Sequence, residues 1–219
     1  NNLGGLNESL EDFPKASEYY EKALNIRLSV YGEHHPDVAV SYNNLGYLNA
    51  FLGVYPKALE YHEKALNLWL SFYGEAHPDV ATSYNNKGLV YSHLGAYSQS
   101  LDSHMKALDI RLSVYGETHP DVAMSYNNMG YAHHHLGAYS QALECHEKAL
   151  SIRLSVYGEA HPDVAMSYSN IGSAYSSLGE YSKALEYHKK TLDISLSMYG
   201  EKHYYVAVSY NNIADLYAN

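Results

Sequence analysis

Cysteine is nearly absent from this chain of 219 residues, which limits how the fold can be held together. The one cysteine, Cys145, cannot form a disulfide within the chain, so the fold must depend on side-chain packing. Structural disulfides are typical of oxidising compartments. The count therefore favours a reducing compartment, and we expect a cytoplasmic protein.

Basic residues are also scarce. The chain has 14 Lys and Arg against 24 Asp and Glu, which gives a formal net charge of -10. Proteins that bind phosphate backbones carry clustered Lys and Arg, so this balance predicts no nucleic-acid partner. An acidic excess is typical of a solvated surface, and at long range it favours a basic partner.

Long apolar runs are missing as well. No stretch of 18 apolar residues occurs, and no secretory signal opens the chain, so we expect neither a transmembrane helix nor a membrane partner. The chain does not begin with Met and starts inside a repeat, which indicates a fragment of a longer protein.

The sequence also has few residues of the kind that catalysis needs. No nucleophile–base pair, glycine-rich phosphate loop or paired acid lies outside the repeat register, so we predict no enzyme, no catalytic residue and no cofactor. Histidine is abundant but falls into repeat positions about 10 Å apart, the distance between packed helices, which is too far for shared ligation at about 2 Å. We therefore predict no metal site. The histidine that occurs once in each unit is instead predicted to pack as an aromatic residue: His62, His104, His146 and His188.

What the chain has in abundance is repetition. Tyr-Gly occurs at 31–32, 73–74, 115–116, 157–158 and 199–200, always 42 residues apart. Asn-Asn follows the same period at 43–44, 85–86, 127–128 and 211–212, with Ser169-Asn170 as the variant. A fixed period of this size is the sequence pattern of a solenoid built from stacked helical units.

Each unit predicts two helices. In the unit from Pro36, proline and Asp37 suit a first helical turn, and Gly53 suits a left-handed helix end. Pro56 suits the first turn of a second helix, which Gly74 ends. Linkers this short require antiparallel packing. We expect histidines of the Gly-Glu-x-His-Pro-Asp hinges, such as His77, to bond local backbone.

Glycines recur in the middle of the first helices, at Gly46, Gly88, Gly130 and Gly172. Glycine in a helix interior costs about 1 kcal/mol relative to alanine, so a repeated glycine needs a cause. We expect close approach of the second helix, through small residues such as Ala58 and Ala142.

The units resemble the tetratricopeptide repeat, whose pattern is Trp-x2-Leu-Gly-x2-Tyr followed by Ala-x3-Phe. Here it reads Tyr168-x2-Ile171-Gly172-x2-Tyr175, then Ala184-x3-His188. The unit has 42 residues instead of 34, and the additional residues lengthen the second helix. Ala-Leu-x-Ile-Arg at 107–111 and His-Pro-Asp-Val-Ala at 119–123 are similar to repeats of the kinesin light chain and nephrocystin-3 type.

The resemblance and the periodicity together predict an all-α fold, a right-handed α-solenoid of antiparallel helix-turn-helix repeats. We expect one array over residues 1–219. Its units are approximately 1–31 (truncated at the front), 37–73, 79–115, 121–157 and 163–199, and an unpaired last helix spans 204–219. That helix is either a C-terminal cap or the front half of a truncated sixth repeat.

The first helices of such arrays line a concave groove. Residues three and four apart share a helix face, which places a row of asparagines in this groove. The predicted peptide-binding residues are Asn44, Asn86, Asn128, Asn170, Asn212, Asn43, Asn85 and Asn127, with the variable neighbours Tyr47, Leu89, Tyr131, His93 and His135.

An asparagine amide offers an acceptor and two donors, so a row of them can pair with the main chain of an extended peptide. The resemblance implies the same role, since tetratricopeptide grooves use asparagines here to hold peptide backbone. The alternative is that one asparagine of each pair bonds the neighbouring helix and orders the stack. The predicted function is a non-catalytic scaffold for a protein or peptide ligand. The competing hypothesis is a structural spacer, or a rod that associates weakly head to tail.

Overall fold

The computed structural model describes residues 13–218, which form ten α-helices and contain no strand. Two kinds of helix alternate. The second helices have 19 residues each: α1 (Phe13–Tyr31), α3 (Tyr55–Tyr73), α5 (Tyr97–Tyr115), α7 (Tyr139–Tyr157) and α9 (Tyr181–Tyr199). The first helices are shorter: α2 (Pro36–Phe51), α4 (Pro78–His93), α6 (Pro120–His135), α8 (Pro162–Ser177) and α10 (Tyr204–Ala218). The front of the predicted unit 1–31 and Asn219 lie outside the described residues.

The hinge before each first helix is built by its histidine. His77 caps α4, because its Nδ1 accepts a hydrogen bond from the backbone N–H of Asp79 at 3.2 Å. The cap recurs before α2, α6 and α8. The same ring stacks on Tyr73, the last residue of α3, with 3.8 Å between centroids. The prediction that hinge histidines bond local backbone is confirmed.

The hinge before α10 keeps this cap although it has lost the proline and the aspartate. His203 Nδ1 accepts from the backbone N–H of Tyr205 at 3.3 Å. His203 also stacks on Tyr199, with 4.3 Å between centroids. This hinge thus keeps the histidine cap and the stacked ring without the proline and the aspartate.

Glycines end both kinds of helix, as predicted. Gly53 follows α2 with φ +73°, and Gly74 caps α3 with φ +77°. Both lie in a region that side chains with a Cβ rarely adopt, which is why the positions are glycine. The N–H of Gly74 donates to the carbonyl of Leu70 at 3.0 Å and closes the last turn.

The chain divides into two compact units, one ending at Gly95 and the other beginning at Ala96. Within each unit, consecutive helices pack against one another, and the short connectors make them antiparallel. The core of the first unit includes Val38, Leu45 and Leu66. In the second, a core cluster joins Leu108, Val122, Ala123, Ala149 and Ile152. The predicted all-α class of antiparallel helical hairpins is confirmed.

The glycines inside the first helices face histidines. A Cβ built on Gly46 would lie 2.6 Å from Cε1 of His62, and one on Gly130 would lie 2.5 Å from Cε1 of His146. The same approach occurs between Gly172 and its histidine, at 2.8 Å. The expected close approach of the second helix is confirmed, but the nearest atoms belong to the imidazole rings and not to the alanines.

Candidate functional site

The paired asparagines connect successive first helices. In each of these contacts, the second asparagine of one repeat donates its Nδ2–H to the first position of the pair one repeat earlier. The contacts are Asn86 to Asn43 Oδ1 (2.9 Å), Asn170 to Asn127 Oδ1 (2.9 Å) and Asn212 to Ser169 Oγ (3.4 Å). This is the stack-ordering contact that was one of the two alternatives for the asparagine pair.

Asn86 makes a second contact through the other end of its amide. The hydroxyl of Tyr47 donates to Asn86 Oδ1 at 2.7 Å. Asn86 is only 1% exposed, and its neighbour Asn85 is 5% exposed. An amide with both ends engaged and little exposed surface fixes the spacing of α2 and α4, and it holds the Tyr47 ring in place.

A cavity of about 280 Å³ lies in the second unit, and a smaller one, of about 210 Å³, lies where α2, α3 and α4 meet in the first unit. Four of the predicted groove residues line the smaller cavity together: Tyr47, Asn86, Leu89 and His93. The rest of its lining comes from Ala50, Phe51, His62 and Val90. The 42-residue period and the three-to-four-residue spacing on a helix face thus correctly predicted that these residues, from two repeats, lie on one surface.

The wall of this cavity is apolar and aromatic. Leu89 is 37% exposed and Phe51 is 50% exposed, so both side chains are open to a ligand. His93 stacks on Tyr55, with 5.6 Å between centroids and planes 6° apart. Tyr47 stands edge-on to His62 at 5.5 Å. Such a surface offers apolar contact with polar ring edges, and none of its eight lining residues carries a carboxylate, ammonium or guanidinium group.

The second unit repeats the aromatic part of this arrangement. His135 stacks on Tyr97, with 4.5 Å between centroids and planes 8° apart. Tyr131, which is 48% exposed, lies 4.4 Å from His135. Tyr131 and His135 stand one period after Leu89 and His93, so a stacked histidine with an exposed apolar or aromatic neighbour recurs on the first helices.

The remaining predicted residues are less accessible than these rings. Asn43, Asn44, Asn127, Asn128, Asn170 and Asn212 are all half-buried. Their amides are therefore open to solvent only in part, and the most exposed groups of the predicted set are the side chains of Leu89, Tyr131, His93 and His135.

The buried histidines of the second helices are neutral packing groups. Burial lowers the pKa of His62 to about 4, with a further lowering by the charge of Lys87. Burial likewise lowers the pKa of His104 and of His146 to about 4. An uncharged imidazole can lie against a helix backbone as an aromatic ring does, which agrees with the predicted role.

The geometry provides no catalytic arrangement among these residues. Within residues 13–218, no group of three or more His, Cys, Asp or Glu side chains is placed to hold a metal ion. Cys145 is buried, and this burial raises the pKa of its thiol to about 11, so the thiolate that reacts with electrophiles is scarce at neutral pH.

Sequence reasoning missed an arginine contact that joins Arg27, Arg111 and Arg153 each to a serine of the following repeat. Arg153, 5% exposed, donates from one NH group to the carbonyl of Asp163 at 3.1 Å and to Ser167 Oγ at 2.7 Å. The same NH group reaches Asn127 Oδ1 at 3.5 Å. Arg111 makes the first two contacts one repeat earlier, to the Asp121 carbonyl and Ser125 Oγ. The sequence pattern that could have indicated this contact is the arginine that recurs within the apolar stripe of the second helices.

One repeat breaks this pattern with a tryptophan. Trp69 stands where Arg27, Arg111 and Arg153 stand in other repeats. Its Nε1 and the hydroxyl of Ser83, the serine that the arginine would reach, are both buried without a hydrogen-bond partner among the described residues. Ser83 is therefore the serine of the contact without its donor, whereas Ser41 in the same compact unit accepts from Arg27 at 2.6 Å.

Taken together, these features define a class of protein. Helical hairpins of one length repeat at a fixed period, stack through asparagine and arginine contacts, and expose stacked rings along the first helices. The sequence matches a tetratricopeptide-repeat family model over residues 1–53, 47–113, 79–155, 121–197 and 163–218. The chain belongs to the tetratricopeptide-repeat family, as the sequence resemblance predicted.

Solved structures agree with this assignment. The crystal structure of BtubC (BKLC) from P. vanneervenii matches with a TM-score of 0.79 and 29% identity, over 87% of this chain and 76% of that one. A putative kinesin light chain from Podosopora anserina, with nearly identical TPR-like repeats, matches with a TM-score of 0.73 and 19% identity, over 85% and 89%. MamA matches with a TM-score of 0.61 and 22% identity, over 85% and 90%. No curated protein matches the sequence.

The family defines the general kind of activity. The tetratricopeptide repeat is a scaffold for protein–protein interaction and is typically non-catalytic. None of the helices in residues 13–218 combines the length and the apolar character needed to cross a membrane.

Proposed function

We propose that this protein is a non-catalytic scaffold that binds an extended peptide segment of a protein partner along its first helices. The observation that carries the proposal is the cavity of about 210 Å³ at α2, α3 and α4. It gathers Tyr47, Leu89 and His93 around a fixed asparagine, and these positions vary from repeat to repeat. Variable side chains on a regular backbone are what a set of different ligand pockets requires.

The chemistry of the cavity indicates what the peptide presents there. Its lining residues are uncharged, apolar and aromatic, so an apolar or aromatic side chain of the peptide is favoured over a charged one. Asn86 in the cavity wall has both ends of its amide engaged, so the remaining polar contact is assigned to half-buried asparagines of the first helices, such as Asn44. The proposal therefore assigns recognition to the rings and orientation to the asparagines.

A reducing, cytoplasmic location is part of the same proposal. The buried, protonated state of Cys145 supports it, because the fold uses its one thiol for packing and not for a cross-link.

The test is selection from a random peptide library, followed by titration calorimetry with variants of the chain. Leu89→Ala and His93→Ala together remove exposed parts of the cavity wall and should weaken a selected peptide about tenfold or more. Phe72→Ala is the control, since Phe72 is an exposed apolar residue (58%) on the second helix α3 and does not line the cavity. A library that yields no binder, or a peptide that loses equal affinity in both variants, contradicts the proposal.

A second candidate function is a rod that associates head to tail. The observation that favours it is the aromatic surface of α10, where Tyr204 and Tyr217 are each 74% exposed and Tyr210 is 54% exposed. Tyrosines at the position of Tyr210 in earlier repeats are only half exposed or less. A contact between unlike ends does not close, so assembly would grow with concentration. Mass measurement across a concentration series tests this candidate, and a monomer at the highest concentration contradicts it.

A further inference from the structure

The last described repeat has a serine at the position where three earlier repeats have an arginine. Ser195 occupies the position of Arg153, one period later. The acceptors that Arg153 uses are all present one period on: the carbonyl of Tyr205, the hydroxyl of Ser209 and the hydroxyl of Ser169. Only the guanidinium is missing from this set.

A cavity of about 280 Å³ lies at this place, between α8, α9 and α10. Ser195, Ser209, Ser169 and Tyr205 all line it. Ser195 is 3% exposed and Ser209 is 2% exposed, so the polar atoms at the inner end are buried. The cavity therefore has the polar end of an arginine site, with space in place of the arginine.

The acceptors in the cavity have the hydrogen-bond arrangement that binds a guanidinium elsewhere in the chain. Ser209 donates its hydroxyl hydrogen to the Tyr205 carbonyl at 2.9 Å, as Ser167 does to the Asp163 carbonyl at 3.1 Å beside Arg153. This leaves the Ser209 oxygen to accept, in the way that Ser167 Oγ accepts from Arg153 at 2.7 Å. A copy of this arrangement with its donor in place thus exists in the same unit.

The outer part of the cavity also suits a planar cation. Tyr199 and Tyr205 line it, with 5.5 Å between their ring centroids, and the acidic residue Asp163 is also part of the lining. Tyr205 is the residue that replaces the aspartate of the other hinges, so the second ring is particular to this repeat. Guanidinium groups stack on aromatic rings and pair with carboxylates.

We propose that this cavity, the Ser195 pocket, binds an arginine side chain supplied by a protein partner. The lining includes several hydroxyl acceptors and the acidic residue Asp163 but no Lys or Arg, so a cation is favoured over an anion. Its acceptors match the several N–H donors of a planar guanidinium better than the single ammonium of lysine. The proposal depends on the proposed function only for the source of the arginine, which is a protein ligand.

The test uses the whole chain and a small probe, so that it does not require the partner. N-acetyl-arginine amide is titrated into ¹⁵N-labelled protein, with N-acetyl-lysine amide as the matched control. The arginine derivative should give saturable shifts at the amides of Ser195, Tyr205 and Ser209, with a dissociation constant of about 1 mM, as for a small ligand with few contacts. The lysine derivative should give no saturable shift there.

Two variants locate the site. Ser195→Arg places the guanidinium in the pocket from within the chain, which should abolish the saturable shifts and raise the melting temperature. Arg153→Ser should create a second pocket one repeat earlier, with new saturable shifts at Ser167. A wild-type chain that shows no saturation, an equal response to the lysine derivative, or binding that survives in Ser195→Arg overturns the proposal.

Failure here is distinguishable from failure of the proposed function. The Ser195 pocket lies in the second unit, and the peptide titration depends on Leu89 and His93 in the first unit. Ser195→Arg should therefore leave the affinity of a peptide bound at those residues unchanged.

Discussion

Mild acid should weaken the fold through the buried histidines of the second helices. His62, His104 and His146 each have a pKa of about 4 in the folded protein, because burial opposes the charged imidazolium. Once exposed by unfolding, each returns to the ordinary value of about 6.5. Between these two values the unfolded chain binds more protons than the folded chain.

This difference in bound protons fixes the direction in which stability changes with pH. The free energy of unfolding falls as the pH drops below 6.5, and the loss is complete near pH 4. From pH 7 to 5.5 each histidine accounts for about 1.2 kcal/mol, so the three together account for about 4 kcal/mol, a large part of a typical stability of about 5–15 kcal/mol. The pKa of His188 is also lowered by burial, which adds to the same loss.

Urea unfolding at several pH values between 7 and 5.5 measures this effect. The window lies above the range in which surface carboxylates titrate, so their ion pairs contribute little to the slope. The control is His62→Phe, which places the aromatic residue of the repeat pattern at this position. Whatever the variant's absolute stability, its slope against pH should correspond to one proton fewer.

A stability that is flat or rises as the pH falls to 5.5 would refute the neutral, buried state of these histidines. An unchanged slope in His62→Phe would refute its assignment to His62 even if the wild-type slope has the expected sign.

Two further predictions concern packing within the repeats. Gly130→Ala should destabilise the protein by about 1–3 kcal/mol although alanine favours helix, because its Cβ would meet the His146 ring at 2.5 Å. In a His146→Ala background the same change should be neutral or stabilising, and equal effects in both backgrounds in urea unfolding would contradict the contact. Ser125→Ala should cost about 1–3 kcal/mol, since it removes an acceptor from a buried arginine. Ser83→Ala, at the same position of the repeat that carries tryptophan, should cost less than about 0.5 kcal/mol, and an equal loss at both serines would show that the arginine contact does not matter.

Much of the fold could be predicted from the sequence because its determinants are local. Pro36 with Asp37 marks a helix start, Gly53 and Gly74 mark helix ends, and the connectors are too short for anything but antiparallel packing. The 42-residue period then places equivalent residues on equivalent faces. This is why Tyr47, from one repeat, and Leu89, from the next, could be assigned to one surface before the structure was known.

The partners of individual polar atoms could not be predicted in the same way. Whether Asn86 reaches a ligand or Asn43 depends on how far and at what angle α4 lies from α2, and the helical period does not contain that angle. Similarly, the pattern shows that Arg153 recurs but not that it is buried against Ser167. The cavity at Ser195 was recognised through that contact, so it could not be predicted from the sequence either.

Mapping a bound peptide by NMR shows whether the first helices carry the binding surface. A peptide selected from the library is titrated into ¹⁵N-labelled protein. The proposed location on the first helices predicts that the largest shifts occur at Tyr47, Leu89 and His93, while residues such as Phe72 on the second helix remain unchanged. Shifts centred on the second helices, with the amides of Leu89 and His93 unmoved, would contradict it.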